Sequence, residues 1–391
     1  MDGRRIAVTG LGVVSTCGIG PDAFFAGLSA SPRQGELRVP EFDPAEWYDN
    51  PKEARRSDRC TQFAMASATQ AIEDAGGLAV TGPRAGVIYA TGVGGMATFE
   101  ENVKVMLEKG DKRVSPFMVP MMMPNASGAS ISMKWGLQGP NETITTACAA
   151  GTHAIGNAAR LIATGRCDLV VTGGTEAVMS RVGLAAFRNM TALSRSGVSR
   201  PFDRDRDGFL MAEGSASLVL EEWDQAVGRG AHIYAELLGS GSNADAHHIT
   251  APTPGGAGAM ACMQLALEDA ALTPDDIVHI NAHGTSTPLN DAAEADAIAK
   301  LFGSPGPPVT SIKGITGHSL GAAGALEATA LALSIDRGVI PPTVGYVQAD
   351  PDLPDLDIVT GEPRPWTPGP SLSNSFGFGG HNGCLVLAPP T

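Results

Sequence analysis

The sequence contains no apolar run long enough to cross a membrane and no recognisable secretion signal. A membrane-spanning helix needs roughly 18 consecutive apolar residues, and no segment of the 391-residue chain approaches that length. The first residues, MDGRRIAVTG, have no apolar stretch after their basic pair. We therefore expect a cytoplasmic protein that does not contact a membrane.

Basic residues and paired cysteines are also scarce. The chain has 27 Lys and Arg against 41 Asp and Glu, a net charge of −14 that argues against nucleic acid as the main partner. An acidic protein partner would need only a local basic patch. The six cysteines form no C-x-x-C pair, so disulfides are not expected in a cytosolic chain. His247 and His248 lack spaced partners, and no metal site is predicted.

The order of elements predicts an α/β protein with two related halves. The chain is longer than one hydrophobic core usually allows, and its short strands alternate with helices. In each half, a strand of small and β-branched residues enters a Gly/Ala-rich helix: TITTACAAGTHAIG and VTSIKGITGHSLGAAGALEA. We interpret this repeated strand-to-helix pattern as a duplication. Near the start, IAVTGLGVVS predicts a strand running into a glycine turn, and Ser57 or Asp58 is the predicted N-cap of the next helix.

The pentapeptide GHSLG at 317–321 fits the nucleophile elbow of α/β-hydrolases. Ser319 would then be an esterase nucleophile, and aspartates between 350 and 357 and then His381 follow in the required order. Two features weaken this alternative. No HGGG-type oxyanion segment precedes Ser319, and the stretch after it is largely Pro-rich loop. Ser319 is otherwise a small residue that opens a helix.

Cys148, in TTACAAG, lies where a strand turns into a helix. The helix dipole and free N–H groups there favour a thiolate, and backbone N–H groups can hold an oxyanion. The alternative is a buried packing residue. His283 ends a strand in NAHGTSTPLND, and His318 begins a helix, with Lys313 and Glu327 placed to form a pair around it. Each histidine taken alone is as consistent with a structural role. The glycine segments TGLGVVS and TGVGGM do not complete a dinucleotide motif.

Five segments in order resemble one family. They are TACAAGTHAIG, RPFDRDRDGF, NAHGTSTPLND, KGITGHSLGAAGALEA and NSFGFGGHNG. Together they resemble the elongating β-ketoacyl-acyl carrier protein synthases, over essentially the whole chain. The resemblance implies the thiolase fold, a duplicated αβαβα architecture in five layers. We expect an N-terminal half at 1–230 that carries the nucleophilic cysteine, and a C-terminal half at 231–391 that carries both histidines and the glycine loop.

The resemblance implies a decarboxylative Claisen condensation between an acyl thioester and malonyl-acyl carrier protein, in fatty-acid or type II polyketide or polyene biosynthesis. Cys148 matches the acyl-carrying nucleophile. His283 and His318 match the pair that promotes decarboxylation, and Lys313 and Glu327 match the charged pair that supports them. No cofactor is implied beyond the phosphopantetheine that carries the substrates on acyl carrier protein.

Other positions match the family's binding residues. Phe378 and Phe376 match the gating aromatics, and the Phe378 N–H matches the second donor of the oxyanion hole. Thr285 and Thr287 match the threonines that bind the pantetheine arm. Phe99 lies where relatives line the acyl tunnel, and we hypothesise that it shortens or redirects the pocket.

The implied partners are acyl carrier protein and a second subunit, as a homodimer or as a heterodimer with a chain-length-factor-like subunit. Lys52, Arg55 and Arg56 match the family's docking position, and Arg195 is a weaker candidate. A thiolase-type acyl-CoA enzyme is the remaining alternative. Thiolases use a second cysteine near the C-terminus, but Cys384 lies in the closing strand rather than in a Cys-Gly-Gly loop.

Overall fold

The computed structural model describes residues 3–391 as a mixed sheet covered by helices. The strands are β1 (Ile6–Ser15), β2 (Gly18–Ile19), β3 (Ala85–Ala90), β4 (Asn141–Ile144), β5 (Leu169–Glu176), β6 (Gly214–Glu222), β7 (Ala235–Ala244), β8 (His279–Asn281), β9 (Val309–Thr310), β10 (Val339–Ile340), β11 (Arg364–Pro365), β12 (Ser371–Gly377) and β13 (His381–Ala388). The helices are α1 (Pro21–Gly27), α2 (Pro51–Ala54), α3 (Arg59–Asp74), α4 (Met96–Lys109), α5 (Met118–Met122), α6 (Ala126–Trp135), α7 (Ala150–Ala163), α8 (Arg181–Asn189), α9 (Trp223–Gly228), α10 (Ala257–Asp269), α11 (Pro288–Phe302), α12 (Lys313–Thr316) and α13 (Ala323–Arg337).

The strand order confirms the predicted duplication. One half of the sheet runs β4-β3-β5-β6-β1 and the other runs β9-β8-β12-β13-β7. In each half the first three strands are parallel and the last two pairings are antiparallel. The halves join where Ala7 and Val8 of β1 pair with Glu236 and Ala235 of β7. The same topology is therefore used twice.

The helices complete five layers. Helices α3 and α6 cover the outer face of the first half-sheet, and α10 and α11 cover that of the second. Helices α7 and α13 lie between the two half-sheets and contact both of them and each other. Their contact is close, because a Cβ added at Gly151 would lie 2.7 Å from the Ala325 nitrogen and one at Gly324 would lie 2.6 Å from the Thr152 nitrogen. The predicted αβαβα architecture is confirmed.

The prediction of a glycine turn after the first strand is wrong. Strand β1 continues through Gly10 and Gly12. A Cβ at either position would overlap a main-chain oxygen of α3, that of Ala71 or that of Ser67. The glycines therefore allow a helix to lie directly on a strand instead of forming a turn. The predicted helix cap is confirmed, since the Asp58 side chain accepts from the Cys60 N–H. Within residues 3–391, no helix is long and apolar enough to cross a membrane.

His279, at the start of β8, gives a prediction about acid stability. Its ring is buried, neither nitrogen has a hydrogen-bond partner among residues 3–391, and it packs edge-on against Trp366 at 5.2 Å. Burial first, and then the charge of Arg364, lowers the pKa of His279 from 6.5 to about 3. Between these two pKa values, His279 therefore binds a proton in the unfolded chain and does not bind one in the folded chain. Stability falls as the pH drops below about 6.5, by up to about 1.4 kcal/mol per pH unit.

The variant His279→Phe keeps an aromatic ring against Trp366 and removes the titrating group. Between pH 7 and pH 5 it should lose about 2 kcal/mol less unfolding free energy than the wild type, measured by urea unfolding. The same replacement at the exposed His247 should leave the wild-type pH slope unchanged. An identical slope for His279→Phe and the wild type would contradict the prediction.

Candidate active site

Cys148 lies in the turn between β4 and α7, as predicted. Ala147 has φ of 51°, residues 147–149 form a 3-10 turn, and α7 begins at Ala150. The Cys148 side chain is only 5% exposed. A Cβ at Gly377 would lie 3.0 Å from the Cys148 nitrogen, so a glycine there leaves room in front of this amide. The thiol and the Cys148 N–H therefore lie at the same small space, whereas the N–H groups of Ala149 and Ala150 donate to the Thr146 and Ala147 oxygens.

His318 lies directly beside the nucleophile candidate. Its Nε2 is 3.0 Å from the Cys148 Sγ. The His318 N–H donates to the Leu210 carbonyl oxygen, and the imidazole packs edge-on against Phe209 at 5.0 Å. Gly317, with φ of 69°, turns the chain between α12 and this residue. The backbone hydrogen bond and the Phe209 contact thus fix the imidazole so that its Nε2 points to the Cys148 sulfur.

His283 follows β8 and is oriented by Lys313. The Lys313 ammonium lies 3.1 Å from His283 Nδ1, donates to the His283 carbonyl oxygen at 2.7 Å, and forms a buried ion pair with Glu327. An ammonium can only donate, so Nδ1 accepts and Nε2 carries the ring proton. Nε2 has no partner within residues 3–391. It is therefore a buried donor available to a substrate oxygen.

A further carboxylate, Glu294 on α11, was not predicted from the sequence. It accepts the N–H of His283 at 2.8 Å and that of Gly284 at 2.7 Å. Burial raises the pKa of Glu294 to about 7, although both N–H donors act against this rise. The residue sits within the predicted helix DAAEADAIAKLFG, where an acidic residue is unremarkable. No pattern in the sequence distinguishes it from Asp291 and Asp296 of the same helix.

The electrostatics of the site favour neutral groups at rest. Burial raises the pKa of the Cys148 thiol to about 11, while the charge of Lys313 and the Phe378 N–H act in the opposite direction. Burial, and then the same lysine charge, lowers the pKa of His283 and His318 well below the usual range. The thiolate expected at a helix start is therefore not the resting form, because burial raises the pKa of the thiol more than its position at a helix start lowers it. His318 is placed to accept the thiol proton.

Most of the predicted site residues line one cavity of about 510 Å³. They are Cys148, His283, His318, Thr285, Thr287, Phe376, Phe378 and Arg195. Lys313 and Glu327 lie behind the histidines rather than on the wall. The cavity is the right size for the end of a small-molecule arm, with polar groups at its reactive end. Ser319, the esterase candidate, is buried and does not line it.

The glycine loop between β12 and β13 closes one side of the cavity. The Phe378 N–H faces the Cys148 sulfur. The Gly379 N–H donates to the Ile249 oxygen at 2.7 Å, and the Gly380 oxygen accepts the Asp245 N–H at 2.8 Å. The loop is therefore held by the segment around 245–249. Neither Asp245 nor Ile249 was predicted, since they belong to a loop without a motif.

Two predicted groups lie outside the cavity. Phe99 on α4 is 47% exposed and is not among the lining residues. It belongs to an apolar face formed by α4 and the segment after it: Phe99, Met106, Leu107, Phe117, Val119 and Met123. The proposed docking residues Lys52, Arg55 and Arg56 are exposed beside this face. The Arg56 guanidinium lies 4.6 Å over the Phe117 ring.

The site also has the chemistry of a metal-binding cluster. The Cys148 sulfur and one ring nitrogen each from His283 and His318 lie within 4.8 Å of one another. Thiolate and imidazole are the ligands that zinc prefers. The ammonium of Lys313 beside His283 disfavours a divalent cation at this point. That no metal takes part stays a prediction.

Comparisons with known proteins decide the family. Residues 27–226 match the family model of the beta-ketoacyl synthase N-terminal domain, and residues 234–347 match that of the C-terminal domain. The chain belongs to the β-ketoacyl synthase family. The β-ketoacyl synthase is 41% identical to the 3-oxoacyl-[acyl-carrier-protein] synthase 2 of Synechocystis sp., across 99% of this chain and 98% of that protein. It is 46% identical to the enzyme of the same name from Staphylococcus aureus, across 90% of this chain and 89% of that protein.

Solved structures agree with this assignment. The synthase superposes on a chain of "The ishigamide ketosynthase/chain length factor" with a TM-score of 0.93 and 35% identity, covering 100% of both chains. It superposes on a chain of "AntDE:AntF (apo): type II PKS acyl-carrier protein in complex with its ketosynthase bound to the hexaketide" with a TM-score of 0.91 and 31% identity, covering 100% of both chains. The predicted thiolase fold is confirmed. The synthase is an acyltransferase, and the esterase alternative is not supported.

Proposed function

We propose that this β-ketoacyl synthase carries an acyl chain on Cys148 and condenses it with a malonyl unit delivered by acyl carrier protein. The observation that carries the proposal is the cluster at the cavity end. The sulfur lies 3.0 Å from His318 Nε2, and the orphaned Nε2 donor of His283 is buried close by. The similarity to 3-oxoacyl-acyl carrier protein synthases supports the same reaction.

In the loading step the sulfur attacks the thioester carbonyl of an acyl-carrier substrate. Sγ forms a bond to the carbonyl carbon as the thiol proton passes to His318 Nε2. The tetrahedral oxyanion lies against the N–H groups of Cys148 and Phe378, which point at the same space. The carrier's thiol then leaves with the proton, and the acyl group remains on Cys148 as a thioester.

In the condensing step the malonyl thioester oxygen lies between the two imidazoles. Their ring centroids are 5.4 Å apart and nearly perpendicular. The bond to the carboxylate breaks, CO2 leaves, and negative charge develops on the thioester oxygen. The His283 Nε2–H donates to this oxygen, and so does His318 in its Nε2–H tautomer once the thiol is acylated. The enolate carbon forms a bond to the acyl carbon, the bond from that carbon to the Cys148 sulfur breaks, and the sulfur takes up one proton from the solvent. Thr285 and Thr287, whose hydroxyls are 2.9 Å apart on the cavity wall, would hold the pantetheine arm.

Mass spectrometry of the enzyme after mixing with a short acyl-carrier protein tests this assignment. We expect an acyl adduct on the peptide that contains Cys148, released as a β-ketoacyl product when malonyl-carrier protein is added. An adduct on Ser319 instead would restore the esterase alternative. An enzyme that makes product without any adduct on Cys148 would contradict the proposal.

The acyl carrier protein is proposed to dock on the basic group at Lys52, Arg55 and Arg56, with Arg195 at the cavity wall. Solved relatives include a ketosynthase in complex with its acyl-carrier protein. The group is exposed on a chain of net charge −14, so it offers an acidic partner a local site of opposite sign.

Reversing both charges, Arg55→Glu with Arg56→Glu, should raise the KM for acyl carrier substrates about tenfold or more at low salt. The rate with a small acyl thioester should not change, because the cavity itself is untouched. The matched control is Arg160→Glu with Arg166→Glu, two exposed arginines at and beyond the far end of α7 from Cys148. An equal loss with both kinds of substrate would contradict a docking role.

A second subunit is proposed to cover the apolar face that contains Phe99. Helix α5 of that face contacts α6, and α6 packs on β4, which forms the outer edge of the sheet. Relatives of known structure include ketosynthases with a chain length factor. Either a second copy of this chain or a chain-length-factor-like subunit would cover the face. Light scattering of the purified chain distinguishes these two alternatives. Twice the mass of one chain supports the homodimer, and a single-chain mass supports the heterodimer.

Phe99 is proposed to close the acyl pocket from this interface. The variant Phe99→Ala should then accept longer acyl primers, because removing the ring opens space. The distribution of product chain lengths, measured by mass spectrometry, checks this. Leu107→Ala, at an exposed position on the same helix, should leave the distribution unchanged. An unchanged profile for Phe99→Ala would refute the role.

A further inference from the structure

The duplicated fold contains a second copy of the turn that carries the nucleophile. Residues 147–149 and residues 320–322 are both 3-10 turns that begin at a non-glycine residue of positive φ, 51° at Ala147 and 43° at Leu320. Each leads directly into one of the two central helices, α7 or α13. By this correspondence, Gly321 occupies in the second half the place that Cys148 occupies in the first.

The residues facing these two turns are also equivalent. Gly377 ends β12, and Glu176 ends β5, the matching strand of the other half. In the proposed active site, glycine at 377 leaves space in front of the Cys148 amide. In the second copy the side chain lies on the strand end instead of on the turn. Position 321 has no side chain, and the Glu176 carboxylate fills the space and accepts the Gly321 N–H at 3.1 Å.

Glu176 also binds the loop that follows β3. Its carboxylate accepts the Gly92 N–H at 2.7 Å and the Thr91 hydroxyl at 3.2 Å, and the residue is completely buried. A Cβ at Gly321 would overlap the Gly92 nitrogen, so the two loops touch through their main chains. The Gly321 amide is buried and the Gly92 amide is partly buried, so each needs an acceptor. Glu176 supplies that acceptor to both loops.

We propose that Glu176 is a positioning residue that permanently occupies the duplicate of the oxyanion site and thereby fixes His318. This inference rests on the proposed role of His318. The turn held by Glu176 begins two residues after that histidine, and Leu320 within it lines the cavity. The left-handed backbone of Leu320 is strained for a residue with a branched side chain, so it persists only while neighbouring contacts hold it. The carboxylate accepts hydrogen bonds from both adjoining loops.

The test uses the intact enzyme and compares Glu176→Ala and Glu176→Gln with the wild type. The rate of malonyl-carrier decarboxylation should fall about 100-fold in Glu176→Ala, with little change in KM, because a shift of about 1 Å in a catalytic group costs this much. Alkylation of Cys148 by iodoacetamide should not slow. Burial is the main cause of the raised pKa of that thiol, and the variant removes the Glu176 charge, which acts in the same direction. Added formate, a free carboxylate, should occupy the space left by the side chain and restore about tenfold of the lost rate.

The control is Glu221→Gln. Glu221 is an equally buried glutamate of the same sheet, bonded to Arg229 and Thr9 away from both turns. The Glu221→Gln variant should have a lower melting temperature, but its folded form should decarboxylate at the wild-type rate, and formate should have no effect on that rate. Glu176→Gln keeps the size but turns an amide donor toward one of the loops, so it should remain slow.

The outcomes separate this inference from the proposed function. A wild-type rate in folded Glu176→Ala would overturn the positioning role. A loss that follows only the folded fraction, with no response to formate, would also overturn it. A wild-type enzyme that forms no acyl adduct on Cys148 would refute the proposed function and this inference together. A rise in the melting temperature of Glu176→Ala with formate supports the internal-anion site without any assay of activity.

Discussion

Replacing Cys148 by alanine should reduce condensation by about 10⁴-fold or more, while decarboxylation of malonyl-carrier protein continues without a primer. The two steps use different groups. Acyl loading requires the sulfur, because Cys148 is the cysteine on the cavity wall and His318 Nε2 lies beside it to take its proton. Decarboxylation requires the donors on the imidazoles, and His283 is held by Lys313 and Glu294, neither of which contacts the sulfur.

Separate measurements of CO2 release and of β-ketoacyl product check this expectation. Two control variants address the alternatives. Ser319→Ala should retain condensation, since Ser319 does not line the cavity, and Cys384→Ala should retain it because that thiol is buried in β13. A thiolase-type enzyme would lose activity with Cys384→Ala. Loss of CO2 release together with product in Cys148→Ala would contradict the division of roles.

The central site was predictable because its residues lie in short motifs at element ends. Cys148 precedes a helix, His283 follows a strand, and His318 precedes a second helix. Cys148 and His283 follow β4 and β8, which belong to different half-sheets, and helices α7 and α13 pack these half-sheets together. The duplication could also be predicted, since the strand-to-helix segment occurs twice. The resemblance of the five segments taken together, and not the local signal at any one position, therefore indicated that these residues share a site.

The residues that sequence reasoning missed act through long-range contacts. Glu176 reaches loops near 92 and 321, and no spacing in the chain relates these positions. Gly10 and Gly12 look like turn residues, but they are needed because α3 lies on β1. Phe99 could be assigned to a tunnel only by resemblance, and in one chain its ring is half exposed. Close packing between distant segments leaves no local pattern, so these features required the structure.

Lys313→Met should cause the largest loss of stability among the substitutions considered. The ammonium is buried between Glu327 and His283, and its removal leaves the Glu327 carboxylate buried without its cation. Breaking a buried ion pair from one side costs about 3–5 kcal/mol. The pKa of Glu327 is already raised to about 7 by burial, with Lys313 opposing that rise. Without the lysine the carboxyl group should be protonated in the folded state at neutral pH.

The same substitution should also slow decarboxylation, because His283 Nδ1 loses the donor that keeps the ring proton on Nε2. A double variant, Lys313→Met with Glu327→Leu, separates the two effects. It removes both charges, so urea unfolding should show most of the stability restored, whereas CO2 release should stay low. Arg229→Met is the matched control, since it leaves the buried Glu221 without its cation away from the site. It should lower stability and leave decarboxylation by the folded enzyme unchanged. If the double variant regained both stability and decarboxylation, Lys313 would have only a structural role, and the proton on His283 Nε2 would not depend on it.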